Sequence, residues 1–217
     1  MLERTIQAVA TDDAGAEGPS GIRERIKGAF PPGGARRMTT LGLLVGNALA
    51  KLQPGEGDAV VYASAYAESG ALEGFIDSFP TPSPTLFQTS IQPSAVQQLL
   101  IGRQLPIGEF LPLSGGPLLG FHALRTALLS DAPRVLLCGG EERGTWLLEH
   151  GLASDRTFAF AVALAGAGGG APLGTVRLAG AEGSGELGVA ALFDLFHRRR
   201  PFSGWIAPGW RLELEWS

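Results

Sequence analysis

Ser114-Gly115-Gly116-Pro117 is the place in this 217-residue chain where chemistry is easiest to put. A helix start offers backbone amides with no intrahelical partner, and such amides can stabilise a developing oxyanion. Ser114 could then act as a nucleophile, with Gly115 and Gly116 supplying the amides. A serine attacks only with a base in hydrogen-bond reach. The three histidines are His122, His150 and His197. If Ser114 starts the helix, His122 lies two turns along it, roughly 12 Å away, and is out of reach. His150 and His197 fall beside loops or helix ends, where sequence does not bring them to the turn. The plainer reading of Ser114 is an N-cap, its hydroxyl accepting a bond from an orphan amide.

Other candidates are weaker. Glu141-Glu142 follows a glycine pair and could hold a proton or a cation, but adjacent carboxylates on extended chain point apart, so a solvated loop is expected. Cys138, the single cysteine, falls in an apolar run, where a thiol is inert. Being alone, it also excludes an intrachain disulfide and a cysteine-rich metal site; neither metal nor cofactor is expected. Gly166–Ala171 fits G-x-G-x-x-A after a strand, but a dinucleotide site needs a helix next, and Pro172 and a strand follow. This weakens a dinucleotide-binding reading and leaves a loop between antiparallel strands. Arg198–Arg200 reads as a solvated helix end, and Trp205, Trp210 and Trp216 as core or interface residues.

These residues need a scaffold. The chain is 45% hydrophobic and 18% charged, enough for a core. Its net charge of −4 gives no footprint for nucleic acid. No apolar run reaches membrane-spanning length, and the N-terminus lacks the order of a signal peptide; a cytoplasmic protein is expected. Apolar spacing predicts strands over Met1–Ala10, Asp58–Ser64, Ile107–Leu113, Arg134–Cys138, Thr157–Leu164, Gly174–Ala179 and Arg211–Trp216, the last near an edge. Helices are predicted over Met38–Leu52, Ala67–Phe79, Ser94–Gly102, Leu118–Leu129 and Glu186–His197, with a short one near Arg23–Lys27 and a turn around Trp146. Residues 1–35 read as less regular. The expected fold is α/β: a five-stranded sheet, mostly parallel or mixed, with helices on both faces, over one domain of residues 1–217.

Three features carry a resemblance. Arg37-Met38 opens a helix leading to DAVVYAS (Asp58–Ser64). SPTLFQTSIQPSAVQQLLIG (Ser83–Gly102) ends in a helix before a strand. Leu113-Ser114 is followed by His122 eight positions on, and by Cys138-Gly139-Gly140. In order and spacing these resemble the N-terminal half of β-ketoacyl synthases of the thiolase-like superfamily, from about Arg37 to Ala165. The resemblance implies a single thiolase-like half. It also departs from the family: Ser114 stands where the nucleophilic cysteine is expected, and no His-Gly-Thr-Gly-Thr-like stretch of the second half is present.

The resemblance therefore implies a chain-length-factor-type subunit, not catalytic on its own. It would pair with an active ketosynthase and shape its acyl tunnel in polyene, polyketide or fatty-acid-like synthesis. Stand-alone members of this length look like those of aryl polyene or xanthomonadin-type pathways. The partners implied are the ketosynthase, in a heterodimer or larger assembly, and an acyl chain on an acyl carrier protein. Interface and tunnel residues implied are Ser90, Ile91, Gln97, Gln98, Phe110, Leu111 and Leu113. The alternative is a Ser114-dependent acyltransferase or hydrolase acting on acyl thioesters.

Overall fold

The structure, a computed structural model, describes residues 1–31, 33–91, 93–166 and 171–217. The chain opens with β1 (Leu2–Asp13), α1 (Pro19–Ile26), α2 (Thr40–Lys51) and β2 (Ala59–Ala63). Three helices follow, α3 (Ser69–Asp77), α4 (Pro84–Thr89) and α5 (Ser94–Gly102), then β3 (Glu109–Leu113), α6 (Leu119–Leu129) and β4 (Arg134–Glu141). The remainder is α7 (Trp146–Glu149), β5 (Phe158–Ala165), β6 (Gly174–Gly180), α8 (Val189–Arg198), β7 (Phe202–Ala207) and β8 (Trp210–Trp216).

One sheet takes all eight strands, in the order β3-β2-β4-β5-β1-β6-β8-β7. β2 lies parallel to both β3 and β4, and the other five pairings are antiparallel. The α/β class with helices on both faces is as expected. The sheet is wider than five strands, and antiparallel pairs outnumber parallel ones. β1 accounts for much of this: it runs three residues beyond Ala10 and sits between β5 and β6. β5 and β6 therefore do not form the expected hairpin; each pairs with β1. Residues 167–170 of the glycine-rich segment lie outside the described residues. β8 lies near the edge, as expected, but is not the edge strand itself. β7 is, and its Ser203 and Gly204 break the apolar alternation that would have marked it.

The two faces of the sheet differ in side-chain size. Along β5 (FAFAVALA), Phe158, Phe160, Val162 and Leu164 point to the face covered by α6 and α8. Ala159, Ala161 and Ala163 point to the face covered by α1, α2 and α5. A strand turns successive side chains to opposite faces, so the alternation leaves small residues where α2 lies close. α2 is buried along most of its length, including Leu41, Leu44, Val45, Ala48 and Leu49. Thr39 caps it, accepting from the Gly42 amide at 2.9 Å. On the other face Phe158 and Phe193 stack at 4.6 Å between centroids. The Phe121 amide donates to the Leu187 carbonyl at 3.0 Å, tying α6 to the entry of α8.

Arg134 joins the N-terminal ends of the parallel strands, its Nε donating to Asp58 Oδ1 at 2.8 Å and an Nη to the Gln53 carbonyl at 2.9 Å. At the other end of β4, Gly139 and Gly140 lie against neighbouring backbone. A Cβ at Gly139 would overlap the Ala63 carbonyl oxygen, and one at Gly140 the Phe158 carbonyl oxygen. The glycine pair is thus a packing requirement of the β2–β4–β5 contact. Gly139→Ala should lower the unfolding free energy by about 1–3 kcal/mol, measured by urea denaturation, whereas alanine at Gly55, with nothing within 4 Å of its Cβ, should leave it within about 1 kcal/mol.

Candidate functional site

Ser114 does not cap α6. The helix starts at Leu119, its N-cap position is Leu118, and no side chain caps it. Ser114 and Gly115 instead continue the extended exit from β3, and Pro117 lies in the turn before the helix. This shift undoes the reason for setting His122 aside. His122 falls in the first turn of α6 and lines a cleft of about 490 Å³ together with Ser114, Gly115, Gly116 and Thr126. Ser114 and His122 are both exposed, and no hydrogen bond joins them among the described residues. His150 packs edge-on against Trp146. His197 stacks on Phe193, with Nδ1 3.0 Å from Thr11 Oγ1. Neither lines the cleft.

The acidic pair is not a solvated loop. Glu141 and Glu142 are 3% and 5% exposed. Their carboxylates point to different partners, as extended chain dictates, and each finds backbone amides. Glu141 accepts from the Ala65 amide at 2.6 Å, the Tyr66 amide at 3.2 Å and the Ser64 hydroxyl at 3.0 Å. Glu142 accepts from Gly70 N at 2.6 Å, in the first turn of α3, and from Leu41 N at 3.3 Å, in the first turn of α2. Two further glutamates do the same. Glu68 accepts from Ala95 N at 2.7 Å at the start of α5. Glu73 accepts from Thr145 N at 2.7 Å and Leu147 N at 2.9 Å at the start of α7. A helix start leaves amides unpaired; those of α2 and α5 are buried and those of α3 and α7 partly so. Sequence reasoning missed Glu68 and Glu73; the one signal was an acid on each side of the small, uncharged run Ser69–Leu72.

Burial raises these acids. Glu68 is pushed up to about 7, mainly by desolvation, against the Ala95 amide and its own amide, which favour its charge. Its Oε2 has no partner, and neither does the buried Tyr62 hydroxyl. Glu141 is also raised to about 7, because burial outweighs the two amides and the Ser64 hydroxyl. Glu142 shifts the same way by desolvation, with Glu73 adding repulsion. The Cys138 thiol is pushed up by complete burial and stays protonated and inert.

The residues expected at an interface lie on β3, the edge strand, on α5 and just before α5. Phe110 packs partly on the core shared with α2 and α5, while Leu111 and Leu113 pack on the opposite core. Pro112 sits mid-strand, a position open to proline only on an edge strand. On α5, Gln97 is exposed, and Gln98 is half-buried and donates to Ser94 Oγ at 2.8 Å. Ser90 is half-buried. Ile91 and Ile101 are 53% and 75% exposed. Trp205, at the far edge, is overlaid by the Arg211 guanidinium, 5.4 Å from its ring centroid. Trp210 and Trp216 pack against the core.

The order of elements, the buried α2 and α6 on opposite faces, and the glycine pair closing β4 build a fold shared with solved structures of ketosynthases and chain length factors. The solved structures it is similar to include a chain of the complex of ketosynthase ApeO with its chain length factor ApeC from Xenorhabdus doucetiae. That match has 16% identity and a TM-score of 0.68, covering 99% of this chain and 100% of that one. The ishigamide ketosynthase/chain length factor is similar at 13% identity and TM-score 0.58, over 83% of this chain and 68% of that one. A chain of AntDE:AntF, a type II polyketide acyl carrier protein in complex with its ketosynthase bound to the hexaketide, is similar at 13% identity and TM-score 0.56, over 83% of this chain and 70% of that one. No family model matches the chain, and no curated protein matches it. Among the described residues no helix is long and apolar enough to cross a membrane, and no three acidic, cysteine or histidine side chains are grouped to hold a metal ion.

A carboxyl raised in the folded state binds its proton more tightly there than in the unfolded chain, whose carboxyls titrate near 4.5. Between about pH 4.5 and 7 the folded state carries the extra protons, so stability falls as pH rises and levels off above 7. The slope inside that window is at most about 1.4 kcal/mol per pH unit for each group. Urea denaturation from pH 5 to 8 should show this decline, and Glu68→Gln should flatten it.

Proposed function

We propose that this chain is a chain-length-factor-type subunit that pairs with an active ketosynthase through β3 and α5 and shapes the acyl tunnel there. The observation that carries the reading is β3 itself, an edge strand, half-buried and mostly apolar; Ile101 on α5 and Ile91 just before it are exposed as well. Pairing there would add main-chain hydrogen bonds to apolar burial, and a stable interface needs roughly 800 Å² on each side. The end-to-end similarity to a chain of a ketosynthase and chain length factor complex supports it. So does the open cleft at Ser114, where the hydroxyl has no hydrogen-bonded base among the described residues to activate it.

In this reading Ser90, Ile91, Gln97, Gln98, Phe110, Leu111 and Leu113 form the partner face and tunnel wall, and the acyl chain arrives on an acyl carrier protein. Aryl polyene, polyketide and fatty-acid-like synthesis in the cytoplasm are the settings that fit. The second reading is acyl transfer or hydrolysis by Ser114, favoured by one observation: His122 shares its cleft.

Two outcomes test the choice. Co-expressed with a ketosynthase encoded beside it, the tagged chain should retain that protein through purification. The double substitution Ile91→Glu/Ile101→Glu should cut retention at least tenfold while moving the melting temperature little, because both side chains already face solvent; retention at the wild-type level would overturn the surface. Separately, intact-mass spectrometry after incubation with acyl thioesters should show no added acyl group. An adduct lost in Ser114→Ala would establish the second reading.

A further inference from the structure

A second, larger cavity lies away from both surfaces described above. It holds about 790 Å³ and opens between the start of α1, the segment leading into α2, α3, α4 and residues 142–145. Small-molecule sites fall in this range of volume. Its lining shares no residue with β3, α5 or the Ser114 cleft.

The charges around it are unequally occupied. Its carboxylates are already engaged. Glu142 holds the amides of Gly70 and Leu41, Glu73 those of Thr145 and Leu147, and Glu17 is paired with Arg25 at 2.9 Å. Arg23, in the wall, is spent on the carbonyls of Ala35 and Met38. The guanidiniums of Arg36 and Arg143 are different: both residues line the cavity, both are exposed, and among the described residues neither side chain has a hydrogen-bond or ion-pair partner. The hydroxyls of Thr40 and Thr85, also in the lining, are likewise without partners among the described residues. The groups left to meet a ligand are thus cationic forks and hydroxyls. A guanidinium presents paired N–H donors that match the oxygens of a phosphate, and hydroxyls serve a polyol.

We propose that this cavity binds a phosphate monoester of a small hydroxylated molecule, with Arg36 and Arg143 on the phosphate and Thr40 and Thr85 on the hydroxylated part. The site goes beyond the partner reading and stands or fails apart from it.

Isothermal titration calorimetry with ribose 5-phosphate and with ribose tests the site on the intact chain. The phosphate ester should bind and ribose should not. Arg36→Gln and Arg143→Gln should each weaken binding at least tenfold with an unchanged circular dichroism spectrum. Arg125→Gln, on α6 and over the Trp210 ring, should bind as the wild type does. No heat from ribose 5-phosphate at millimolar concentration, or undiminished binding in the Arg36→Gln/Arg143→Gln double variant, would overturn the proposal.

Discussion

Several helices of this fold begin wholly or partly inside the protein, where a row of amides has few partners to bond. Three glutamates meet that constraint. Glu142 alone serves the starts of both α2 and α3, Glu68 that of α5, and Glu73 that of α7. Glu141 holds the turn that leaves β2. Removing one carboxylate would strand buried donors, and an unsatisfied buried group costs about 1–3 kcal/mol. Glu68, Glu141 and Glu142 accept desolvation in exchange, which is why burial raises them. Helices that come from distant parts of the sequence are thereby referenced to one end of the parallel strands.

That end of the sheet is also where the chain turns outward at Ser114. The short parallel block β3-β2-β4 is set from both sides: Arg134 and Asp58 join its N-terminal ends, and the carboxylates fix the turns beyond its C-terminal ends. Between them, Gly139 and Gly140 allow β2, β4 and β5 to approach with no side chain intervening. The geometry around Ser114 and along β3 is therefore backed by rigid, fully packed structure, while their own side chains stay half-exposed. Such an arrangement presents a surface more readily than it encloses a reaction.

Much of this was legible in the residues. The alternation in FAFAVALA, the helical spacing of Leu41, Leu44, Val45 and Leu49, and the proline after Asp131 each carry their own local physics, and those elements formed where expected. What was not legible depended on partners far along the chain. The length of β1 is set by strands some 150 residues away. Glu141 and Glu142 read as surface because charge usually is, and only the fold supplies the amides that make burial tolerable. The Ser114 turn looked like a cap because serine favours caps, yet the chain runs four residues further, to Leu118, before α6 begins. On that small shift the relation of Ser114 to His122 changed from two turns of one helix to two walls of one cleft.

The ends of the sheet differ, and the difference has a consequence for growth. β7 carries a register shift between Trp205 and Ala207, and its tryptophan lies under an arginine. Such an irregular, charged border discourages further strands. β3 pairs with β2 in unbroken register from Glu109 to Leu113. A ribbon with one blunt border and one straight border can lengthen through the straight one only. If two such ribbons join there, as the proposed pairing requires, the composite has irregular borders on both sides, and addition stops at a pair instead of running on into a filament.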